Sequence, residues 1–196
     1  MVAIVGLGNP GREYENTPHN LGFLTIDRLA QEYGLTVRRP ECNSLVGRGK
    51  IESCDVLLSK PLSFMNGSGG PVRALLEKYQ LRIEDLMVIS DDFNLPWMSL
   101  RIRQRGSSGG HLGLESIIQA LDSRVFLRVR LGVAPEERVR DGAAFVLAPF
   151  RRARQKQLEE LLSRAVEAVR MILAEGAAKA MTRYNRRAGS PKTEGE

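Results

Sequence analysis

The chain has 196 residues, 42% hydrophobic and 27% charged, a balance that excludes a fibrous or disordered protein and fits one soluble globular domain. Lysine and arginine outnumber the acids 29 to 23, a formal charge of +6 that favours polyanionic partners without requiring them. Cys42 and Cys54 are too few for a disulfide framework or a cysteine-built zinc site, and no run approaches the roughly 18 apolar residues of a membrane span. No signal-peptide leader precedes Val2-Ala3-Ile4-Val5, so the expected location is cytoplasmic.

Residues 2–7 form a short β-branched run that stops at glycine, the pattern of a buried strand opening into a loop, here Gly8-Asn9-Pro10-Gly11. Leu21, Phe23, Leu24, Ile26, Leu29 and Ala30 then recur at helical spacing, with Gly34 as the stop. Segments 45–51 and 54–59 read as two paired strands. A second loop, residues 60–69, contains Phe64, Met65 and Asn66. It leads to a helical face of Val72, Leu75, Leu76 and Tyr79. Leu86-Met87-Val88-Ile89 is a buried strand expected to end at Ser90-Asp91-Asp92. In 99–104 and again in 126–133, apolar residues alternate with Arg101 and Arg103, then with Arg128 and Arg130, giving two strands with basic faces. Between them, glycines and serines at 106–110 lead into His111 and a helix carrying Leu114, Ile117, Ile118 and Leu121.

From Arg151 to Ala174, Leu158, Leu161, Leu162, Ala165, Val169, Ile172 and Leu173 make one long amphipathic helix, and a last helix is expected to end near Arg187. Residues 189–196 hold no apolar anchor and are expected to be a flexible tail on a domain spanning 1–188. The expected fold is a single α/β domain: a twisted, mostly parallel mixed sheet flanked by helices, with a long C-terminal helix. In such sheets sites gather at the carboxyl ends of the strands. Asn9, the Asn66 loop, Asp91 and His111 would then meet above one edge of the sheet.

Gly6-Leu7-Gly8-Asn9-Pro10-Gly11 satisfies the dinucleotide-binding pattern G-x-G-x-x-G directly after a strand. Two features argue against that use. Pro10 removes an N–H that would face a pyrophosphate, and helical periodicity begins only after Pro18. The acid that should end a second strand is also missing, since Asp27 lies inside the predicted helix and Glu32 precedes Gly34. A turn glycine serving a functional loop is the better reading.

The chain has only two histidines, and both stand at loop-to-helix junctions with polar or glycine-rich flanks, Pro18-His19-Asn20 and Gly109-Gly110-His111. An imidazole suits a base that takes a proton from water and returns it to a leaving group. Asp91 at a buried strand end can fix its tautomer and stabilise the imidazolium, with Asp92 as a rival. Asn9 and Asn66 can donate to a carbonyl or developing oxyanion, whereas Asn20 also reads as a plain turn former. No H-x-x-x-H or C-x-x-C pattern offers a metal site, so no metal or cofactor is expected.

Val5-Gly6-Leu7-Gly8-Asn9-Pro10-Gly11 with Tyr14, Thr17, His19 and Asn20, then Lys60-Pro61 with Met65-Asn66 and Ser68-Gly69, Asp91-Asp92 with Leu95-Pro96, Gly109-Gly110-His111, Arg128 to Gly132, and Met181 with Tyr184-Asn185 together resemble the bacterial-type peptidyl-tRNA hydrolase family. The resemblance runs nearly end to end. It implies a monomeric, metal-independent esterase that cleaves peptide from the terminal ribose of prematurely released peptidyl-tRNA. It further implies His19 as base, Asp91 as partner, and Asn9 and Asn66 as groups positioning the substrate. Tyr14 and Phe64 would line the substrate cleft, and His111 would lie in a mobile substrate-facing segment. Arg103 and Arg130 would grip the tRNA 5′ phosphate. Four positions depart from the family pattern: Pro18 stands for arginine, Asn94 for aspartate, Met98 for glycine and Leu112 for asparagine. The last removes a polar contact to substrate or water. A non-catalytic RNA-binding relative of the same fold is the alternative, and retention of His19, Asp91, Asn9 and Asn66 together favours the esterase.

Overall fold

In the computed structural model, residues 1–134 and 140–185 are described. The expected tail at 189–196, the domain boundary at 188 and the helix end near Arg187 lie outside them. The strands are β1 Val2–Gly6, β2 Arg39–Glu41, β3 Ser44–Ile51, β4 Cys54–Pro61, β5 Leu86–Pro96, β6 Leu100–Arg103 and β7 Leu127–Ala134. The helices are α1 Leu21–Glu32, α2 Gly69–Lys78, α3 Leu112–Leu121, α4 Gly142–Leu147, α5 Gln155–Glu175 and α6 Ala177–Tyr184.

The seven strands form one sheet in the order β2-β3-β4-β1-β5-β7-β6. The central four, β4-β1-β5-β7, run parallel, while β2, β3 and β6 pair antiparallel at the two margins. This is the expected single α/β domain with a mixed, mostly parallel sheet. The central strands are apolar on both faces because both faces are covered. Ile4, Met87, Ile89, Val129 and Leu131 pack with α1 and α5, through Leu21, Ile26, Leu29, Leu158, Leu161 and Val169. Ala3, Val5, Leu86 and Val88 point the other way, onto Val72, Leu76, Leu114 and Ile117 of α2 and α3. A strict alternation thus divides each run between two cores. Among the described residues no helix is long and apolar enough to cross a membrane.

Four local features differ from the sequence expectation. β5 does not stop at Asp91-Asp92 but continues to Pro96, with a register irregularity between Asp92 and Pro96, so both carboxylates lie within the strand. β2 and α4 were not expected, being too short to show a period. The long helix is opened by a single 3-10 turn at Arg152–Arg154, while the expected separate last helix, α6, follows Gly176 at φ +87°. Finally, Gly6 and Gly8 are packing glycines rather than turn formers: a Cβ on Gly6 would strike the Gly22 carbonyl, and one on Gly8 would strike the Phe23 ring. Only Gly11, at φ +122°, serves the loop as a turn residue. The glycine pattern therefore lets α1 lie close against β1.

Candidate active site

His19 is carried by a 3-10 turn, Pro18–Asn20, between β1 and α1. Pro18 opens that turn, where a missing N–H costs nothing. Asn20 clamps it to the glycine loop: its Oδ1 accepts from Asn9 N at 2.8 Å, and its Nδ2 donates to Asn9 O at 3.0 Å. Both bonds are buried, so Asn20 is a structural clasp and not merely a turn former. Asn9 extends the chain of contacts, its Oδ1 accepting from Met65 N at 2.8 Å. One asparagine pair thus fixes the His19 turn, the glycine loop and the Asn66 loop to each other.

Asp91 is 3% exposed, and its Oδ1 lies 2.9 Å from His19 Nδ1 and 2.9 Å from His111 Nε2. The imidazole rings stand with centroids 5.0 Å apart. His111 is also the N-cap of α3, where Nδ1 accepts from Gly113 N and Leu114 N at 3.2 and 3.3 Å. Those two donors make Nδ1 the lone-pair nitrogen, so Nε2 carries the proton and donates it to Asp91. Burial disfavours the charged carboxylate, but His111, then His19, outweigh it, through the positive charge each carries when protonated and through their hydrogen bonds, and hold Asp91 well below the usual carboxylate range. With Nδ1 of His19 donating to Asp91, its Nε2 keeps a lone pair for a proton.

Although the sequence has no local metal-binding pattern, folding brings His19 and His111 together, and with Asp91 they offer ligand atoms within 4.8 Å of one another. The hydrogen bonding is the better guide. A protonated Nε2 directed at Asp91 cannot also present a lone pair there.

The cavity beside these groups has a volume of about 290 Å³ and is lined by His19, Asp91, Asp92, Asn94, His111 and Arg130 on its polar side. Phe93, Leu112, Leu114, Ala143 and Val146 complete it. Arg130 Nε lies 2.8 Å from Asp92 Oδ2, a charge contact rather than an aligned hydrogen bond. Gly109 and Gly110, at φ +62° and +85°, turn the chain toward His111. A Cβ on Gly109 would come within 2.9 Å of the Arg130 guanidinium. Asn94 Nδ2 donates to Gly109 O at 3.0 Å, a bond that an aspartate in its place could not make. Met98 takes φ +65° at the third position of the turn joining β5 to β6, a conformation that favours glycine.

His19, Asp91, His111 and Arg130 therefore meet in one cavity. His111 lines it, with both of its ring nitrogens engaged in hydrogen bonds. Asn9 is tied in from behind through Asn20, and among the described residues no protein group accepts from its Nδ2. Asn66 and Phe64 sit exposed on the loop that Asn9 holds, Phe64 with 63% exposure. Tyr14 is half-buried in the turn before His19 and does not line the cavity. Arg103 is exposed and lines a separate cavity with Glu84, Arg105 and Met181. The register pairs Arg101 with Arg130 and Arg103 with Arg128, so the two predicted basic faces are one.

Sequence reading missed Asn20 as a clasp, His111 as a partner of Asp91, and the fate of Arg128. That arginine is 1% exposed, donates to Ser107 O and Arg124 O at 2.8 and 3.1 Å, and lies 4.3 Å over the Phe126 ring. Burial, then Arg130 and Arg124, push its pKa down to about 10. Alternation along a strand gives no sign of which arginine a loop will cover.

Fold and cleft define a class: a three-layer α/β protein in which a buried carboxylate holds an imidazole in a small cavity beside the ends of parallel strands. The family model described as peptidyl-tRNA hydrolase matches residues 3–193. The chain is 48% identical over 197 residues to the peptidyl-tRNA hydrolase of Koribacter versatilis, covering 100% of this chain and 98% of that one. It is 48% identical over 188 residues to that of Solibacter usitatus, with 96% of each chain covered. The crystal structure of peptidyl-tRNA hydrolase from Acinetobacter baumannii matches with a TM-score of 0.87 at 31% identity over 94% of each chain. The chain belongs to the peptidyl-tRNA hydrolase family.

Proposed function

We propose that this chain hydrolyses the ester joining a peptide to the terminal ribose of tRNA, with His19 as general base and Asp91 as its partner, and so recycles tRNA from aborted translation. The observation that carries this reading is the 2.9 Å contact between His19 Nδ1 and a buried Asp91. It leaves Nε2 to take a proton from water as the water oxygen adds to the ester carbonyl. The imidazolium formed is stabilised by Asp91 and returns the proton to the departing ribose oxygen, giving a peptide carboxylate and free tRNA. Asn9 Nδ2 and the Asn66 amide are the donors for the carbonyl oxygen. Phe64 and Tyr14 supply contacts for the peptide, and His111 positions Asp91 from the α3 terminus.

Arg103 and Arg130 on the shared basic face bind the 5′ phosphate, which positions the acceptor end without reading sequence. No metal is required, since protonated ring nitrogens face Asp91. The chain acts as a monomer in the cytoplasm, a reducing compartment that suits its two free cysteines. A non-catalytic RNA-binding relative would have no physical need for a buried carboxylate between two imidazoles.

The test is release of peptide from N-blocked aminoacyl-tRNA by the purified protein without added metal. His19→Ala is expected to lower kcat by roughly 10²–10⁴-fold, the range typical of general base catalysis, while tRNA binding persists. Unchanged hydrolysis in that variant overturns the mechanism.

A further inference from the structure

The cavity beside His19 has an apolar wall that activation of water does not need. Phe93 comes from β5, Leu112 and Leu114 from α3, and Ala143 and Val146 from α4. Within this wall Leu112 is 60% exposed and Phe93 37%, so two large apolar side chains are left open to solvent in a catalytic cleft. Leu112 directly follows His111, whose ring is held by Asp91 on one side and by the first turn of α3 on the other. The Phe93 ring packs edge-on against Phe145, with centroids 6.0 Å apart, and lies against Gly142, where a Cβ would come within 3.2 Å of it. The backbone at Leu112 and the ring of Phe93 are therefore held at set positions relative to the His19–Asp91 pair.

We propose that Leu112 and Phe93 form a subsite for the side chain of the amino acid esterified to the tRNA, and that this subsite makes the enzyme prefer an apolar residue there over a charged one. The proposal rests on the esterase reading above. The carbonyl carbon attacked by water at His19 carries two substituents. One is the ribose oxygen, which leads at once into a polyanion. Phosphates would lose hydration against an apolar wall without recompense, and the arginine face of β6 and β7 suits them instead. The other substituent is the α-carbon of the last amino acid, whose side chain begins two bonds from the reacting carbon. At about 290 Å³ the cavity stands at the small end of ligand sites, which span roughly 300–1,000 Å³. That suits one amino-acid side chain and not an RNA helix.

The experiment uses one tRNA body carrying either N-acetyl-leucine or N-acetyl-aspartate, with kcat/KM measured for each. The native chain is expected to favour the leucyl ester by about tenfold, the low end of what apolar pocket contacts discriminate. Leu112→Asn is similar in size and stands at an exposed position, so the fold should persist. It is expected to bring the ratio to within about threefold. Leu112→Met, which stays apolar, should keep the preference. Equal turnover of the two esters by the native chain, or an unchanged ratio in Leu112→Asn, overturns the subsite. Failure to cleave either ester, or equal cleavage by His19→Ala, overturns the esterase reading itself and the subsite with it.

Discussion

Asp91 accepts from two imidazoles at a single oxygen, and its carboxyl is held below the usual range by them despite full burial. The consequence for stability has a definite sign. Because the folded pKa is depressed, the unfolded chain takes up the proton at higher pH than the native one. The stability due to Asp91 is thus fully present above the unfolded carboxylate pKa of about 3.9 and is lost as pH falls through the folded value. Denaturant unfolding of the native chain and of Asp91→Asn, followed from about pH 5 to about pH 2, should show the stability difference narrowing below the ordinary carboxylate range. A difference that stays constant over that interval would mean that Asp91 is not held low.

At the scale of elements, the site depends on how short turns are fastened to strand ends. The 3-10 turn bearing His19 has no side-chain cap of its own; Asn20 fastens it by satisfying both backbone groups of Asn9. Asn20→Ala would leave two buried backbone groups without partners, and is expected to destabilise the protein by about 1–3 kcal/mol. Denaturant melts would measure this directly, and a loss under about 0.5 kcal/mol would show that water replaces the clasp. The segment leading to α3 is fastened in the same manner. Arg128 holds Ser107 O, Asn94 holds Gly109 O, and His111 closes the helix end. The asparagine at 94 suits this role because its amide can donate to a carbonyl, which an aspartate could not do.

Across the whole molecule, strands remote in sequence bring their arginines to one face of the sheet. Arg101, Arg103, Arg128 and Arg130 share a sheet face, but Arg128 is buried and Arg130 is held by Asp92. Arg103 is the exposed member beside a separate cavity, so it can reach a phosphate without giving up an ion pair. Arg103→Ala is expected to weaken tRNA binding and to reduce the slope of log K against log salt by roughly 0.7–0.9, one phosphate contact. An unaltered slope would remove Arg103 from the grip. Arg130→Ala would also free Asp92, so its effect on binding should be accompanied by a change in turnover.

Local chemistry determined much of this protein. The apolar runs of β1, β5 and β7, the paired strands β3 and β4, and the helical faces of α1, α2, α3 and α5 are visible as periods of two or near four. His19 and Asp91 stand out as chemically suited groups in suitable junctions. Short elements such as β2 and α4 left no period to read, and the continuation of β5 past Asp92 depends on pairing with β7, which is remote in sequence. Only the tertiary structure decided that His111 shares Asp91 with His19, that Asn20 clasps Asn9, that the two arginine strands present one face, and that Leu112 and Phe93 line the same cleft. Each of these brings together residues that are not neighbours in the chain, through packing and burial that no local pattern of residues encodes.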